Sequence, residues 1–276
     1  MSQRDVDGLT ETQYLSQYRP SDFPRPSVTV DNVIFTVADV SGNNYRRLPD
    51  KELRVLLIKR AGHPYIGQWA LPGGFVLPDE TVGEAAKREL VEETGISVGH
   101  LEQLYTFSTP GRDPRTWVIS CAHMALIDSV SVEVNAGSDA SEARWFTVKM
   151  ENLSGKQGMQ LSLTEKTTEL SAVVIPNEDG GELRVKENKG LAFDHAEIIA
   201  CAITRLRAKL EYTDLAFCLL PEKFTLTQLQ QVYETILGKK LYKAAFRRKI
   251  VNMVEKTEQY TSEKGHRPAI KYTRVK

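Results

Sequence analysis

The sequence predicts a mixed-sheet α/β (α+β) domain followed by a smaller helical module that ends in a β-ribbon. Three observations carry this. β-Branched, apolar runs of strand length recur between Val28 and Val148, with one amphipathic helix among them and no regular βαβ alternation. From Asp194 onwards, three helical stretches are followed by two short strand-like runs around Gly265. With 276 residues, 41% of them hydrophobic, the chain is long enough to bury two cores.

Taken in order, residues 1–26 read as a polar N-terminal arm ending in Pro24 and Pro26. Val28–Val37 and Leu53–Ile58 read as a hairpin around the turn-rich Ser41–Lys51. A short strand, Trp69–Leu71, runs into Pro72, Gly73 and Gly74. Thr81–Glu93 has helical spacing, with Val82, Ala85, Ala86 and Leu90 on one stripe, and Gly95 stands where a left-handed cap would end it. Strands over Leu101–Phe107, Trp117–Leu126 and Ala143–Val148 complete a first domain, 27–150. Residues 151–190 read as a connecting hairpin, with strand-like Met159–Leu163 and Leu170–Ile175, the turn Asn177–Gly181 and a short Leu183–Val185. The second domain is 191–276. Asp194 would cap a helix through Leu210; Thr225 would cap a second, with Leu226, Leu229, Val232, Ile236 and Leu237 inward and Gly238 ending it. A third helix, Tyr242–Val254, and a ribbon of Glu258–Thr261 with Ala269–Val275 make a winged helix-turn-helix pattern.

Composition removes several function classes. Lys+Arg and Asp+Glu number 36 each, and the apolar fraction is too high for a disordered chain. No apolar run approaches the roughly 20 residues of a membrane span, so no membrane partner is expected. The opening MSQRDVDGLTETQYLSQYRP lacks the pattern of a secretory signal. Cys121, Cys201 and Cys218 are far apart and odd in number, so no disulfide framework is expected and a reducing cytoplasm is. The charge balance hides an asymmetry. Residues 222–276 hold 13 Lys+Arg against 5 Asp+Glu, an excess of eight positive charges, and residues 1–221 carry the opposite excess. A basic tail suits an anionic partner and an acidic body suits cations, although two solvated faces would look the same.

The densest chemistry lies in residues 74–96, GFVLPDETVGEAAKRELVEETGI. Glu89, Glu92 and Glu93 stand at i, i+3 and i+4 of the helix, which places three carboxylates on one face. A hard divalent cation such as Mg²⁺ would neutralise them. Arg88, one turn after Glu84 and one turn before Glu92, can orient that pair. The plainer alternative is a solvated acidic helix held by i,i+4 pairs. Spacing decides against it: Gly74, Glu80, Arg88, Glu89, Leu90, Glu92, Glu93, Gly95 and Ile96 fit Gly-x5-Glu-x7-Arg-Glu-U-x-Glu-Glu-x-Gly-U, U being apolar. Seven fixed residues at about one in fifteen each match by chance on the order of once in 10⁸ start positions.

This segment resembles the Nudix hydrolase box at every position. The resemblance implies a Nudix α/β/α sandwich, Mg²⁺ or Mn²⁺ held by Glu89, Glu92 and Glu93 with the Gly74 carbonyl, and hydrolysis of a nucleoside diphosphate linked to another moiety. Glu80 and Arg88 would support the loop and the ligands. The general base is Glu93, or else Asp139 or Glu142 in the loop before the Ala143–Val148 strand. A second segment, STPGRDPR at 108–115, presents Arg112 and Arg115 as phosphate- or ribose-binding forks. The plainer alternative is a pair of surface arginines neutralised by Asp113. Beside the Nudix box the loop is similar to that of ADP-ribose pyrophosphatases and of Nudix-related regulators of NAD metabolism, and Pro110 lies fifteen residues past Gly95.

LAFDHAEII at 191–199, FTLTQLQ at 224–230 and AFRRKI at 245–250 resemble the winged-helix extension of those regulators and of two-domain ADP-ribose hydrolases. On that resemblance Lys243, Arg247, Arg248 and Lys249 would meet DNA phosphates, and a homodimer is implied. Because the box is intact, Mg²⁺-dependent hydrolysis of ADP-ribose to AMP and ribose 5-phosphate is the first expectation. An ADP-ribose-sensing DNA-binding repressor is the alternative.

Overall fold

The computed structural model describes residues 3–40, 49–95, 100–128, 140–155, 157–177, 183–261 and 268–275. The segment 27–152 supplies strands β1 (Ser27–Asp39), β2 (Lys51–Arg60), β3 (Trp69–Ala70), β4 (Gly73–Phe75), β5 (His100–Phe107), β6 (Val118–Leu126) and β7 (Ala140–Asn152). Three more strands follow, β8 (Met159–Glu165), β9 (Thr168–Pro176) and β10 (Leu183–Lys189). All ten form one mixed sheet in the order β10-β9-β8-β7-β2-β1-β6-β5, with β3 paired to β2 and β4 to β1. Only β1 and β6 are parallel among these pairings. The stretch expected as a separate connecting hairpin, 151–190, instead extends the main sheet. Its alternating residues Leu161, Leu163, Leu170, Ala172 and Val174 are buried, so the strands need the common core rather than solvent.

Both faces of the central strand are covered, as its nearly continuous burial requires. On one face Ile34 and Leu56 pack with Leu90, and Val30 packs with Ala85 and Ala86 of helix α2 (Val82–Thr94). On the other, Val33, Phe35, Val55 and Leu57 belong to the large core that includes Ile199, Ile203 and Leu206 of helix α3 (His195–Lys209). Helix α3 therefore supplies the second layer of the sandwich while leading into the C-terminal module. Thr81 and Glu84 form a capping box at the start of α2, and Gly95 closes it at φ 71°.

Beyond α3 stand helix α4 (Leu226–Leu237), helix α5 (Lys243–Ile250) and the antiparallel ribbon β11 (Val254–Tyr260) and β12 (Ile270–Arg274). Thr225 caps α4 with Gln228 as expected, and Leu229, Val232, Tyr233 and Ile236 face inward. Helix α5 ends at Ile250 rather than Val254, because Val254 already opens the ribbon. Among its described residues the N-terminal arm contains a short α-helix, α1 (Glu11–Gln17), and a 3-10 turn, Pro20–Asp22, neither of which buries a residue. No helix among the described residues is long and apolar enough to cross a membrane.

Candidate functional site

The site is built where two glycines bring β4 against β1 and α2. Asp31 pairs with Gly73 and Val30 with Gly74 across that edge. A Cβ on Gly73 would collide with the Val30 carbonyl oxygen, and one on Gly74 would collide with the Glu89 carboxylate. At 73 the obstacle is backbone, so only glycine allows this approach; at 74 it is the end of a side chain that could move aside. Glu93, nearly buried, accepts the Gly73 N–H at 2.7 Å. Glu89 lies against Gly74; burial pushes its carboxyl pKa up, partly offset by the Arg88 guanidinium.

Arg88 organises this face. Its guanidinium donates to Glu80 at 3.0 and 2.6 Å, to Glu89 at 2.7 Å, to Glu92 at 3.1 Å and to the Phe75 carbonyl at 3.1 Å. Its hydrogen bonds to Glu80 and Glu89 hold its pKa above the usual arginine range. Glu80 also accepts the Leu77 N–H, so it fixes the loop as expected. The expected pairing with Glu84 is absent: that carboxylate is committed to the Thr81 capping box. Of the three acids proposed as ligands, Glu89 and Glu93 flank the glycines, while Glu92 is 59% exposed on the outer side. Among the described residues no three acidic, imidazole or thiol side chains converge as a metal-holding group. The donors gathered at Gly74 are oxygens only, which suits a hard cation.

The structure does not bring Glu142 to this place. It stands on β7 itself, beside Lys59 in the register, and Lys59 donates to it at 3.2 Å. That hydrogen bond, with Arg144 on the other side, holds its carboxyl below the usual range. Ile58, which lines the cleft, alternates to the opposite side of β2. Asp139 and Ile96 lie outside the described residues.

A cleft of about 490 Å³ opens over Glu93, Gly73 and Gly74. Two larger ones, about 890 Å³ between β7 and α4 and about 840 Å³ beside the arginine loop, contain none of the α2 carboxylates, so the smaller cleft is the candidate site. Both loop arginines line it, in different ways. Arg115 pairs with Asp113 at 2.7 Å, as in the plainer alternative, yet stands on the rim 5.3 Å from the Phe75 ring centre. Arg112 is not a surface residue: its side chain is 5% exposed. It makes a two-pronged pair with Asp194, at 2.8 and 2.7 Å, and reaches Asp31 at 3.4 Å. Burial works against its charge, and the two carboxylates outweigh burial.

Sequence reasoning missed the rest of this network. Asp31 accepts the Ser120 hydroxyl at 2.5 Å and faces His195 Nε2 at 3.4 Å. The Leu71 N–H donates to His195 Nδ1 at 2.8 Å, which leaves Nε2 as the ring N–H pointing at Asp31. Burial alone would raise the Asp31 pKa; His195, Arg112 and Ser120 outweigh it and hold the carboxyl far below the ordinary range. Asp194 was expected to cap α3 with its side chain, but makes no such bond because Arg112 takes it. Phe193, at the left-handed φ of 50°, closes the cleft wall against Tyr65, with Arg60 5.0 Å from its ring centre. An aspartate in the interior of a β-branched strand was the available signal for Asp31. Nothing local marked Phe193.

On the C-terminal module Lys243, Arg247 and Arg248 are exposed and make no ion pair among the described residues. Lys249 differs: its ammonium donates to the Leu210 carbonyl at 2.9 Å and lies 5.3 Å from the Tyr233 ring centre. Lys249 is exposed too, but this bond ties α5 to the end of α3, a structural role its three neighbours lack.

Comparison with known proteins returns the same two parts. A family model described as NUDIX domain matches residues 45–160, and one described as NrtR DNA-binding winged helix domain matches 216–273. The chain is 34% identical over 271 residues to the ADPR responsive transcriptional repressor NtrR of Acinetobacter baylyi, covering 97% of this chain and 89% of that one. It is 40% identical over 132 residues to an ADP-ribose pyrophosphatase of Methanocaldococcus jannaschii, covering 48% and 67%. Among solved structures, a MutT/nudix family protein from Enterococcus faecalis superposes with a TM-score of 0.73 at 30% identity, covering 96% and 92%. Shewanella oneidensis NrtR in complex with a 27mer DNA superposes at 0.62 and 28% identity, covering 90% and 93%.

Proposed function

The chain belongs to the Nudix proteins that carry an NrtR-type C-terminal winged helix, and from that premise we propose that it is a DNA-binding transcriptional regulator that senses ADP-ribose or a closely related nucleoside diphosphate. This reverses the order reached from sequence, where hydrolysis came first. End-to-end similarity to a repressor outweighs an intact box, because the box accounts for one helix and the similarity for both domains.

One observation carries the reading. The cleft over the Nudix helix is walled by Phe193 and His195, which head the helix leading into the winged helix. A ligand placed there touches the part of the chain that positions the DNA-binding module. The cleft chemistry suits a nucleoside diphosphate: Arg112 and Arg115 for phosphate oxygens, and Phe75 and Phe193 as flat walls for a base or ribose. Lys243, Arg247 and Arg248 supply the free cations for DNA phosphates, and a homodimer would read two half-sites. Acting on DNA would make the protein intracellular, and the cytoplasm is the compartment proposed.

Hydrolysis is kept as a second activity, favoured by the seating of Glu89 and Glu93 at the glycine pair. Glu89, Glu93 and the Gly74 carbonyl would hold Mg²⁺ or Mn²⁺, with Glu92 added once it leaves Arg88. Such a cation neutralises diphosphate charge and lowers the pKa of an attacking water. Glu93, the most enclosed of the three acids, is the candidate to orient that water. The experiment is direct: titrate ADP-ribose calorimetrically, then follow retardation of duplex DNA with and without it, and assay AMP release with Mg²⁺. DNA binding weakened by ADP-ribose supports the regulator. AMP release with no sequence-specific DNA binding returns the first place to hydrolysis.

A further inference from the structure

Helix α3 is fastened at both ends. At its head Asp194 holds Arg112, and His195 holds Asp31 and the Leu71 N–H. At its tail Lys209 pairs with Glu102 at 2.5 Å, and the Leu210 carbonyl accepts Lys249 of α5 at 2.9 Å. One turn earlier Arg207 donates to the Ile236 carbonyl, at the end of α4, and to the Met150 carbonyl of β7. With 15 residues the helix is about 22 Å long. It is a stiff rod joining the cleft to both helices of the DNA-binding module.

The head of that rod is held by a cation the ligand also needs. Arg112 is almost fully enclosed, and its fork is already engaged by Asp194. A diphosphate entering beside Asp31 and Asp194 would add charge to two existing carboxylates. Arg115 meets it from the rim, and beside the two carboxylates it is stabilised by drawing the Arg112 guanidinium toward itself, which loosens the pair with Asp194. We infer that Arg112 is the positioning residue through which occupancy of the cleft is read, and that Asp194 is its resting partner. An anionic diphosphate engages Arg112 at the expense of the Arg112–Asp194 pair and frees the head of α3. The inference rests on the ligand-sensing reading above and gives it a route. It has two sites, two states of one element and a contact that each state owns, as coupling requires.

Coupling is reciprocal, so both affinities must respond. The Asp194→Asn variant keeps the size of the side chain and removes the charge that competes for Arg112. The test uses the full chain, ADP-ribose as ligand, and a duplex selected by the wild-type protein from a random-sequence pool. In the wild type ADP-ribose should weaken binding of that duplex by roughly 5- to 150-fold. In Asp194→Asn the ligand-free DNA affinity should fall toward the ligand-bound wild-type value, ADP-ribose should bind more tightly, and the factor between the two states should shrink toward one. A wild-type response preserved in Asp194→Asn overturns the inference and leaves the sensing reading standing. A wild-type protein whose DNA binding ignores ADP-ribose overturns both. Amide exchange in the wild-type chain guards against a variant that fails to fold: ADP-ribose should speed exchange over residues 195–200, and unchanged or slowed exchange there refutes the release of α3.

Discussion

Replacing Asp31 by alanine tests whether the cleft network is also a structural clamp. Asp31 is 8% exposed and accepts from Ser120, His195 and Arg112, which come from β6, α3 and the arginine loop. In Asp31→Ala, Arg112 keeps Asp194, so its charge is not orphaned. Ser120 and His195 do lose their acceptor, at about 1–3 kcal/mol for each buried donor. With the weakened Arg112 contact the total is about 3–5 kcal/mol, the usual range for breaking a buried pair. A chain of this size loses about 2–4 °C of melting temperature per kcal/mol, so the fall should be roughly 6–20 °C. Asp31→Asn keeps one acceptor and should lose less than half of that. Acid supplies an independent check. The folded carboxyl titrates well below its ordinary value of 3.8, so the unfolded chain takes up the proton first as pH falls. The contribution of Asp31 is therefore complete above about pH 4 and decays below it. Urea midpoints across pH 3–7 should show that acid loss in the wild type and a smaller one in Asp31→Asn. A melting temperature within 2 °C of wild type in Asp31→Ala would refute the clamp.

Gly73→Ala should destabilise the fold by about 1–3 kcal/mol or prevent folding, because its Cβ meets backbone. Gly74→Ala should fold normally and lower Mn²⁺ affinity about tenfold or more, since only the Glu89 carboxylate must move; calorimetric Mn²⁺ titration and thermal melts separate the two. Arg115→Ala should weaken ADP-ribose binding roughly fivefold, about 1 kcal/mol, because the side chain is partly exposed and already paired with Asp113. Arg248→Ala should lower the log–log salt slope of DNA binding by about 0.9 without changing the melting temperature. Lys249→Ala should instead lower stability by about 1 kcal/mol, through loss of the Leu210 carbonyl and the Tyr233 ring. Salt titrations and melts on the two variants check both.

What the sequence showed was what local spacing and short-range chemistry determine. Thr81 and Glu84, Thr225 and Gln228, and the left-handed Gly95 and Gly238 mark helix ends within a few residues of themselves, and these ends were read correctly. The i, i+3, i+4 spacing put Glu89, Glu92 and Glu93 on one face of α2; Glu89 and Glu93 sit at the glycine pair, while Glu92 stays outside on Arg88. What escaped was set by distant partners. Strands β8–β10 alternate like an isolated hairpin, and only the β7–β8 register makes them part of the main sheet. Asp194 carries the signature of a helix cap, yet Arg112, 82 residues away, gives it a stronger, charge-assisted partner. Lys249 sits in a basic run that reads as DNA-facing, and the Leu210 carbonyl at the end of α3, 39 residues away, engages its ammonium. In the last two cases a charged group was claimed by a partner far away in the sequence.

The same packing explains why ligand site and DNA-binding module belong to one mechanical unit. The large core that holds Val33, Phe35 and Leu57 of the sheet also holds Ile203 and Leu206 of α3, Val232 and Ile236 of α4, and Phe246 and Ile250 of α5. The first family match ends at residue 160, before β9, β10 and α3 begin. A chain cut there would uncover the face of β1 and β2 that α3 covers, including Phe35 and Leu57, both fully buried. It would also remove Asp194 and His195, the partners of Arg112 and Asp31 in the cleft. The sandwich thus borrows its second helix layer, and the cleft one of its walls, from the segment that leads to the winged helix. A displacement of that segment would be felt in the cleft and in α5 together, because α3, α4 and α5 share that one close-packed core.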